Sequence, residues 1–264
     1  MSYFDRAIVE LALLSVLAGI AGVWILLRRR SLFAAALSHA TFPGGVIAAA
    51  LGANVLLGQA AAAAVLTVVM TLLSRTKHQG TQVASGVVLA FGFALGALLS
   101  SLQTAIRVPV DALLVGQVFG VSNSDLVVTA AAVAVTAVIV VMNWRVLMFD
   151  TFDPVGYRAV GGSALRAEIV TATLVAIFVV VAMPAVGAIL AIALVVGPAA
   201  TAALLVRNIR WVPPVATLVA LLASGLGLFA SWQFGVAAGG AIGLAVALLF
   251  LVAFMIHKLF RHAT

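Results

Sequence analysis

The chain consists of long apolar runs that short polar stretches interrupt. Nine runs hold between 16 and 23 residues each. A helix adds about 1.5 Å per residue, so it needs roughly 20 apolar residues to cross a bilayer. We therefore predict nine membrane-spanning helices, at residues 8–27, 32–52, 55–74, 83–101, 126–144, 168–183, 185–206, 212–231 and 234–256.

Two stretches between these runs do not fit a simple span or a simple loop. Residues 107–125 are moderately apolar, but proline, glycine and polar residues interrupt them. Broken segments of this kind are tolerated at membrane depth only where protein or water covers their backbone. This pattern favours a re-entrant or interfacial segment on the outer side.

The second stretch, residues 145–167, is the longest connection predicted on the inner side. Asp153 can accept a hydrogen bond at a helix N-terminus, and Pro154 suits the first helical position. Gly161 and Gly162 are typical of a helix end. We predict a short helix at residues 154–160, which either docks a partner or serves as an ordinary connector.

The composition excludes a water-soluble fold. Hydrophobic residues make up 65% of the 264 positions, charged residues only 8%, and the mean hydropathy is +1.30. Soluble domains carry about 25% charged residues. The expected fold class is an all-α polytopic bundle that forms one transmembrane domain over residues 1–264. Cysteine is absent, which excludes disulfides, thiolate metal ligands and cysteine nucleophiles.

The net charge of +7 indicates topology and not nucleic-acid binding, because the basic residues are scattered between apolar runs. If the loop with Arg28 is cytoplasmic, the positive-inside rule gives an outer N-terminus, an inner C-terminus and an odd number of crossings. The basic cluster follows the first apolar run, so that helix is expected to stay in the mature protein. Twelve of the fourteen basic residues then lie inside: Arg28, Arg29, Arg30, Arg75, Lys77, Arg145, Arg158, Arg166, Arg207, Arg210, Lys258 and Arg261.

His39 is the one ionisable residue that the pattern places near the middle of a span. It lies nine residues after Arg30, or about 13 Å along a helix, whereas the seven acids fall near the ends of runs. Ionisable groups at that depth usually face a bundle interior or a water-filled path. Ser38, Thr41 and Pro43 add hydroxyls and a possible helix distortion. We expect these four residues in a transport path; the alternative is a neutral histidine bonded to a neighbouring helix.

Other motifs carry less chemistry. Gly197 and Pro198 predict a helix break that serves either gating or packing. Glycines four residues apart, at 92 and 96 and at 235, 239 and 243, predict close helix packing. No glycine-rich loop ends in Lys-Ser or Lys-Thr, and no catalytic constellation is visible, so we expect no enzyme activity and no catalytic residue.

Five blocks of sequence resemble the metal-ion permeases of ABC importers, which carry zinc, manganese or iron. They occur in the order expected for that family and cover most of the chain. The blocks are residues 27–52 (LRRRSLFAAALSHATFPGGVIAAALG), 84–99 (ASGVVLAFGFALGALL), 114–126 (LVGQVFGVSNSDL), 152–162 (FDPVGYRAVGG) and 186–205 (VGAILAIALVVGPAATAALL).

The resemblance implies a bacterial-type inner-membrane complex with several partners. These are a second permease copy, identical or related, two cytoplasmic ATP-binding subunits that hold ATP and Mg²⁺, and an extracytoplasmic solute-binding protein. No resident cofactor is implied in this chain beyond the transported metal ion. The resemblance assigns coupling to the ATPase to residues Phe152, Asp153, Pro154, Tyr157, Arg158 and Gly161.

His39 matches the pathway histidine of these permeases and is the implied metal ligand. The family has an aspartate four residues earlier, where this chain has Ala35. Loss of a hard oxygen ligand affects Mn²⁺ more than Zn²⁺, which accepts imidazole readily. Zinc or manganese remains the first expectation, and a chelated metal or organic metal complex is the alternative. A secondary carrier or channel without ATP is a further alternative, but paired broken helices typical of carriers are not evident.

Overall fold

The structure, a computed structural model, describes residues 2–73, 80–102 and 116–261, and the regular secondary structure of that part of the chain is all helical. Two short 3₁₀ turns, Val118–Gly120 and Ile209–Trp211, accompany the helices. The helices are α1 (Tyr3–Leu27), α2 (Ser31–Ala40), α3 (Phe42–Ala50), α4 (Val55–Leu73), α5 (Gly80–Leu102), α6 (Asn123–Met142), α7 (Trp144–Phe152), α8 (Pro154–Ala159), α9 (Ala164–Leu205), α10 (Val212–Phe234) and α11 (Ala238–Arg261).

Eight helical segments of the described chain are long and apolar enough to cross a membrane, with α2 and α3 counted together. One of them, α9, holds 42 residues and would be about 60 Å long if straight, twice the hydrocarbon thickness. Its backbone leaves helical geometry at Gly187, where φ is 77° and ψ is 166°. The element therefore consists of two helices, at residues 164–186 and 188–205.

Both ends of α9 lie at the same end of the bundle. Glu168, near its start, pairs with Arg30 at 2.9 Å. Ala202, near its finish, packs in a cluster that includes Leu26 and Leu27. Gly187 lies towards the opposite end, where its nitrogen is in close contact with Gly116. The chain thus crosses the bundle as far as Gly187 and then returns. The second half of α9 is therefore a ninth crossing of the described chain, and nine is the number that the sequence predicts.

We call the end that carries Arg28 and Arg30 the arginine end and the opposite end the far end. Helix α1 holds 25 residues, and it begins at the far end with Tyr3 and reaches the arginine end at Leu27. The last helix finishes at the arginine end, because His257 lies 3.0 Å from the carbonyl of Leu204. The two termini of the described chain therefore lie at opposite ends of the bundle.

Helix α1 is the centre of the core and packs on α6, α9 and α10. Gly19 and Gly22 permit this, because a Cβ at either position would overlap Thr217 or Val195. Gly92 meets Ala40 in the same way, and Gly96 meets Phe42, so α5 lies directly on α2 and α3. The close packing predicted for Gly92 and Gly96 is confirmed.

Other glycine predictions turn out differently. A Cβ at Gly235 would meet nothing; this residue ends α10 in the left-handed conformation, with φ at 64°. The break predicted at Gly197 and Pro198 is wrong, since α9 leaves helical geometry only at Gly187. Pro198 is buried within the helix, and the Thr201 hydroxyl donates to the Gly197 carbonyl at 2.9 Å.

The predicted outer segment, residues 107–125, lies partly outside the described residues, which resume at 116. Its described part is a 3₁₀ turn with Val118 buried at the far end of α1, followed by a capped start of α6. Ser122 and Asp125 form that cap reciprocally, since each side chain accepts a bond from the other's backbone N–H.

Candidate functional site: the His39 surface and the α7–α8 loop

His39 occupies the last turn of α2, partly accessible in the single protomer. Its ring meets that of Phe93 on α5 edge to face, with 6.2 Å between the centroids. Nδ1 is enclosed and has no hydrogen-bond partner among the described residues. In the described chain, therefore, Nδ1 makes no hydrogen bond to a neighbouring helix, which is the arrangement that the alternative to a pathway role requires.

The predicted companions of His39 do not share its surface. Ser38 and Thr41 are buried, and Ser38 donates to the Ala34 carbonyl at 3.0 Å. Thr41 lies 3.3 Å from the Ser38 carbonyl and 3.5 Å from the Met183 sulfur. Pro43 is buried at the start of α3 and permits the junction at Thr41. These residues shape α2 and α3, whereas His39 alone among the four keeps an accessible side chain.

Ala35 lies one turn before His39, and both are half-buried on one face of α2. We call this face, with Phe93 beside it, the His39 surface. The described residues contain no group of three histidine or acidic side chains able to hold a metal ion. A single protomer therefore offers one nitrogen ligand here, and a stable site would need ligands from elsewhere.

The predicted short helix is present as α8, Pro154–Ala159. The Asp153 side chain accepts from the Gly156 N–H at 2.8 Å, and Pro154 follows as the first helical residue. At the other end Gly161 is left-handed, with φ at 83°, and the Gly162 N–H donates to the Tyr157 carbonyl at 2.8 Å. The start and stop signals read from the sequence are both confirmed.

Tyr157, one of the six residues that the resemblance assigns to coupling, is buried in the single chain. Its ring packs on Phe149 of α7, with 5.7 Å between centroids, and lies against Gly162. Tyr157 thus holds α8 on α7. The exposed side chains of α8 and its flanks include Phe152, Val155, Arg158 and Val160, together with Ala159 and the cap residues Asp153 and Pro154. This mostly apolar surface with one arginine, which we call the α8 surface, faces outward at the arginine end.

Two ion pairs connect α7 and the start of α9, on either side of α8, to the junction between α1 and α2. Arg28 meets Asp150 at 2.7 Å and lies 3.4 Å from the Thr151 hydroxyl, while Arg30 meets Glu168 at 2.9 Å. The sequence reading treats these arginines only as topology signals. They also tie α7 and the start of α9 to the α1–α2 junction.

Comparison with known proteins matches residues 1–257 to the model of the ABC 3 transport family. The chain belongs to that family. The resemblance to ABC permeases that the five sequence blocks carry is thereby confirmed. The chain is a multi-pass transport subunit and not an ATPase.

Relatives of this family protein span nearly its whole length. It is 30% identical over 253 residues to the manganese transport system membrane protein MntC of Halalkalibacterium halodurans, covering 96% of this chain and 87% of that one. It is also 30% identical to the chelated iron transport system membrane protein YfeC of Yersinia pestis, covering 96% and 86%. Among solved structures, PsaBC from Streptococcus pneumoniae in complex with Fab superimposes with a TM-score of 0.86 and 27% identity, over 96% and 91% of the two chains.

One buried acid of this ABC 3 family protein escapes the sequence reading. From the sequence, Glu10 is expected near the outer N-terminus. In the structure it is only 1% exposed, and its Oε1 accepts a hydrogen bond from the Thr129 hydroxyl at 2.7 Å. His39 is therefore not the sole ionisable group inside the bundle. The position of Glu10 inside the apolar run 8–27 is the signal that could have revealed it.

Proposed function

We propose that this protein is the permease subunit of an ABC importer that moves a divalent transition-metal ion into the cytoplasm. The single observation that carries the proposal is His39, a half-buried imidazole at mid-span whose enclosed Nδ1 has no hydrogen-bond partner among the described residues. Imidazole is a ligand for zinc and other first-row metals. The named manganese and chelated-iron relatives support a metal cargo, and the arginine end is the cytoplasmic side under the positive-inside rule.

A second copy of this chain is the proposed partner within the membrane. The His39 surface is open in one protomer, and one nitrogen ligand does not retain a metal ion. Two His39 surfaces facing each other would supply two imidazoles and enclose a path between the copies. Such a site is weak, which suits cargo that must leave on the inner side.

The other partners follow from the two ends of the bundle. The α8 surface, capped at both ends and tied to α2 through Arg28 and Arg30, suits docking to a cytoplasmic ATP-binding subunit that holds ATP and Mg²⁺. An extracytoplasmic solute-binding protein would deliver cargo at the far end. Binding and hydrolysis on the ATPases would then move α8 and alternate the access of the path.

The cargo class follows from the ligands present. Manganese prefers carboxylate oxygens and zinc accepts imidazole, so His39 without an acid at Ala35 suits zinc at least as well as manganese. A chelated metal is the second candidate, favoured by the same alanine, because a chelate brings its own ligands. The named iron relative is of this kind.

Substitution of His39 by alanine tests the proposal. Uptake of radioactive zinc and manganese by cells that depend on this importer should fall to background, while the amount of assembled complex stays unchanged. His257→Ala is the matched control, since this histidine is exposed at the arginine end and should leave uptake intact. Normal uptake by the His39→Ala protein would refute a pathway role for the residue.

A further inference from the structure

A carboxylate at the far end of the bundle has no place in the path through His39. Glu10 lies two turns into α1 and is 1% exposed. Its Oε1 accepts the hydrogen of the Thr129 hydroxyl at 2.7 Å. Its Oε2 is enclosed and has no partner among the described residues. Half of a carboxylate is therefore buried and unsatisfied.

Glu10 borders a cavity of about 170 Å³ between α1, the start of α4, α6 and the end of the first half of α9. Three further polar side chains line it: Thr129, Asp125 and Gln117. No lysine, arginine or histidine is among the described residues around it. A water molecule occupies about 30 Å³ in the liquid, so this volume holds an ion with several waters.

Asp125 brings a second carboxylate to the cavity from its exposed rim. The two hydrogen bonds that the Asp125 carboxylate accepts both end at Oδ2, and they come from the backbone N–H and the hydroxyl of Ser122. Its Oδ1 remains available, and its exposure gives the cavity a route to the far-end surface. The cavity is therefore lined by two carboxylates, Asp125 at its exposed rim and Glu10 in its buried part.

Within residues 2–73, 80–102 and 116–261, no basic side chain forms an ion pair with Glu10. Arg6 lies one turn nearer the far end, but no ion pair joins it to Glu10 in the described part of the chain, and its own Nε is buried without a partner. A buried carboxylate without a counter-charge is unfavourable by several kcal/mol, so such groups pair, bind a cation or take up a proton. The cavity that Glu10 lines, with Asp125 at its exposed rim, has room for such a cation.

We propose that Glu10, Asp125, Gln117 and Thr129 form a second cation site, contained within one protomer and separate from the His39 surface. The ligands are two carboxylates, an amide oxygen and a hydroxyl, a set that suits a hard divalent cation such as Mn²⁺. No residue of α2 lines the described cavity, so the site does not depend on His39 or on a second copy.

The test uses Mn²⁺ as the probe and the full chain, purified in detergent with the subunits that accompany it. All proteins carry His39→Ala, so that binding at the His39 surface makes no contribution. Electron paramagnetic resonance distinguishes free from bound Mn²⁺ during a titration. The parent should bind Mn²⁺, and addition of Glu10→Gln should weaken the affinity about tenfold or more, because glutamine keeps the size and the bond to Thr129 but removes the charge.

Glu168→Gln is the control, since this acid pairs with Arg30 at the other end and should leave Mn²⁺ binding unchanged. A folded Glu10→Gln protein that binds Mn²⁺ as tightly as the parent, or a parent that binds none, would overturn the site. If Glu10→Gln does not fold, Asp125→Asn gives the same two readings, because asparagine can still cap α6. Failure here leaves the proposed function untouched, since uptake is tested by His39→Ala in a separate assay.

Discussion

His39 and Ala35 show what one residue contributes to transport across a membrane. A carboxylate at position 35 would stand one turn from the imidazole and create a two-ligand face on each protomer. The alanine removes that charge from the span, where an unpaired acid is unfavourable. In the proposed path, the His39 surface would therefore rely on imidazole alone, a ligand that suits Zn²⁺ better than Mn²⁺.

Restoration of the acid separates the two candidate cargoes. If the path carries a free divalent ion, Ala35→Asp should raise metal retention in the purified complex, about tenfold for Mn²⁺, and slow its release. If the cargo is a chelate, the same variant should block uptake without retained metal. Metal content measured by mass spectrometry, together with an uptake assay, decides between these results.

Ala35→Asn provides the matched control, because asparagine has the size of aspartate without its charge. Metal retention that rises equally in both variants would show that the charge at position 35 is irrelevant, and the argument from the lost ligand would then fail.

At the scale of the element, the division of α9 at Gly187 decides how the chain is threaded. The pair φ 77° and ψ 166° lies in a region that only glycine enters without strain. A helix that continued straight through this residue would extend beyond the bilayer. Gly187 instead turns the chain back beside the Glu10 cavity, which Pro184 and Ala185 also line.

Gly187→Ala should therefore destabilise the protein by about 1–3 kcal/mol, the usual strain of a side chain in this backbone region. The thermal midpoint of unfolding in detergent is the measurement. Gly225→Ala is the control: this glycine is within α10, a Cβ there meets nothing, and alanine favours a helix by about 1 kcal/mol. A Gly187→Ala protein as stable as Gly225→Ala would contradict the strain.

Helix α8 offers a second test at this scale, on the α8 surface. Arg158→Glu reverses the charge on an exposed side chain without touching the cap at Asp153 or the buried Tyr157. We expect the ATP-binding subunit to dissociate during purification and stimulated ATP hydrolysis to fall at least about tenfold, because a like-charge contact costs several kcal/mol at an interface.

Arg210→Glu makes the same charge change on another exposed loop at the arginine end and should leave assembly normal. Equal assembly and ATPase activity in the two variants would remove α8 from the interface.

The sequence predicts those elements whose signals are local. Nine spans follow from hydropathy, and α8 follows from Asp153, Pro154 and Gly161, since caps act within one turn. The break at Gly187 is not predictable in this way, because a glycine stays helical or turns according to what packs around it. Burial of Tyr157 and Glu10 likewise depends on contacts with Phe149 and Thr129.

At the scale of the whole molecule, charge is distributed along the bundle axis. Arg28, Arg30, Arg158 and Arg210 lie at one end, and among the described residues Arg6 is the basic side chain of the far end. Arg75, Lys77 and Arg107 are outside the described residues. The acids are divided between the two ends: Asp150, Asp153 and Glu168 lie at the arginine end, and Asp5, Asp125 and the mouth of the Glu10 cavity lie at the far end. The asymmetry along the axis therefore comes from the basic residues.

The orientation of the bundle in the membrane can be tested with single introduced cysteines, because the chain itself contains no cysteine. Single cysteines at Ala53 and Gln233, both exposed at the far end, should react with a membrane-impermeant maleimide on intact cells. Cysteines at Arg158 and Arg210 should react only after the membrane is opened, because the positive-inside rule places the arginine end in the cytoplasm. Labelling is quantified on the purified chain, with the cysteine-free parent as the background. Reaction of the Arg158→Cys protein on intact cells would show that the bundle has the opposite orientation. Helix α8 would then face away from the cytoplasm, and the proposed importer mechanism would be excluded.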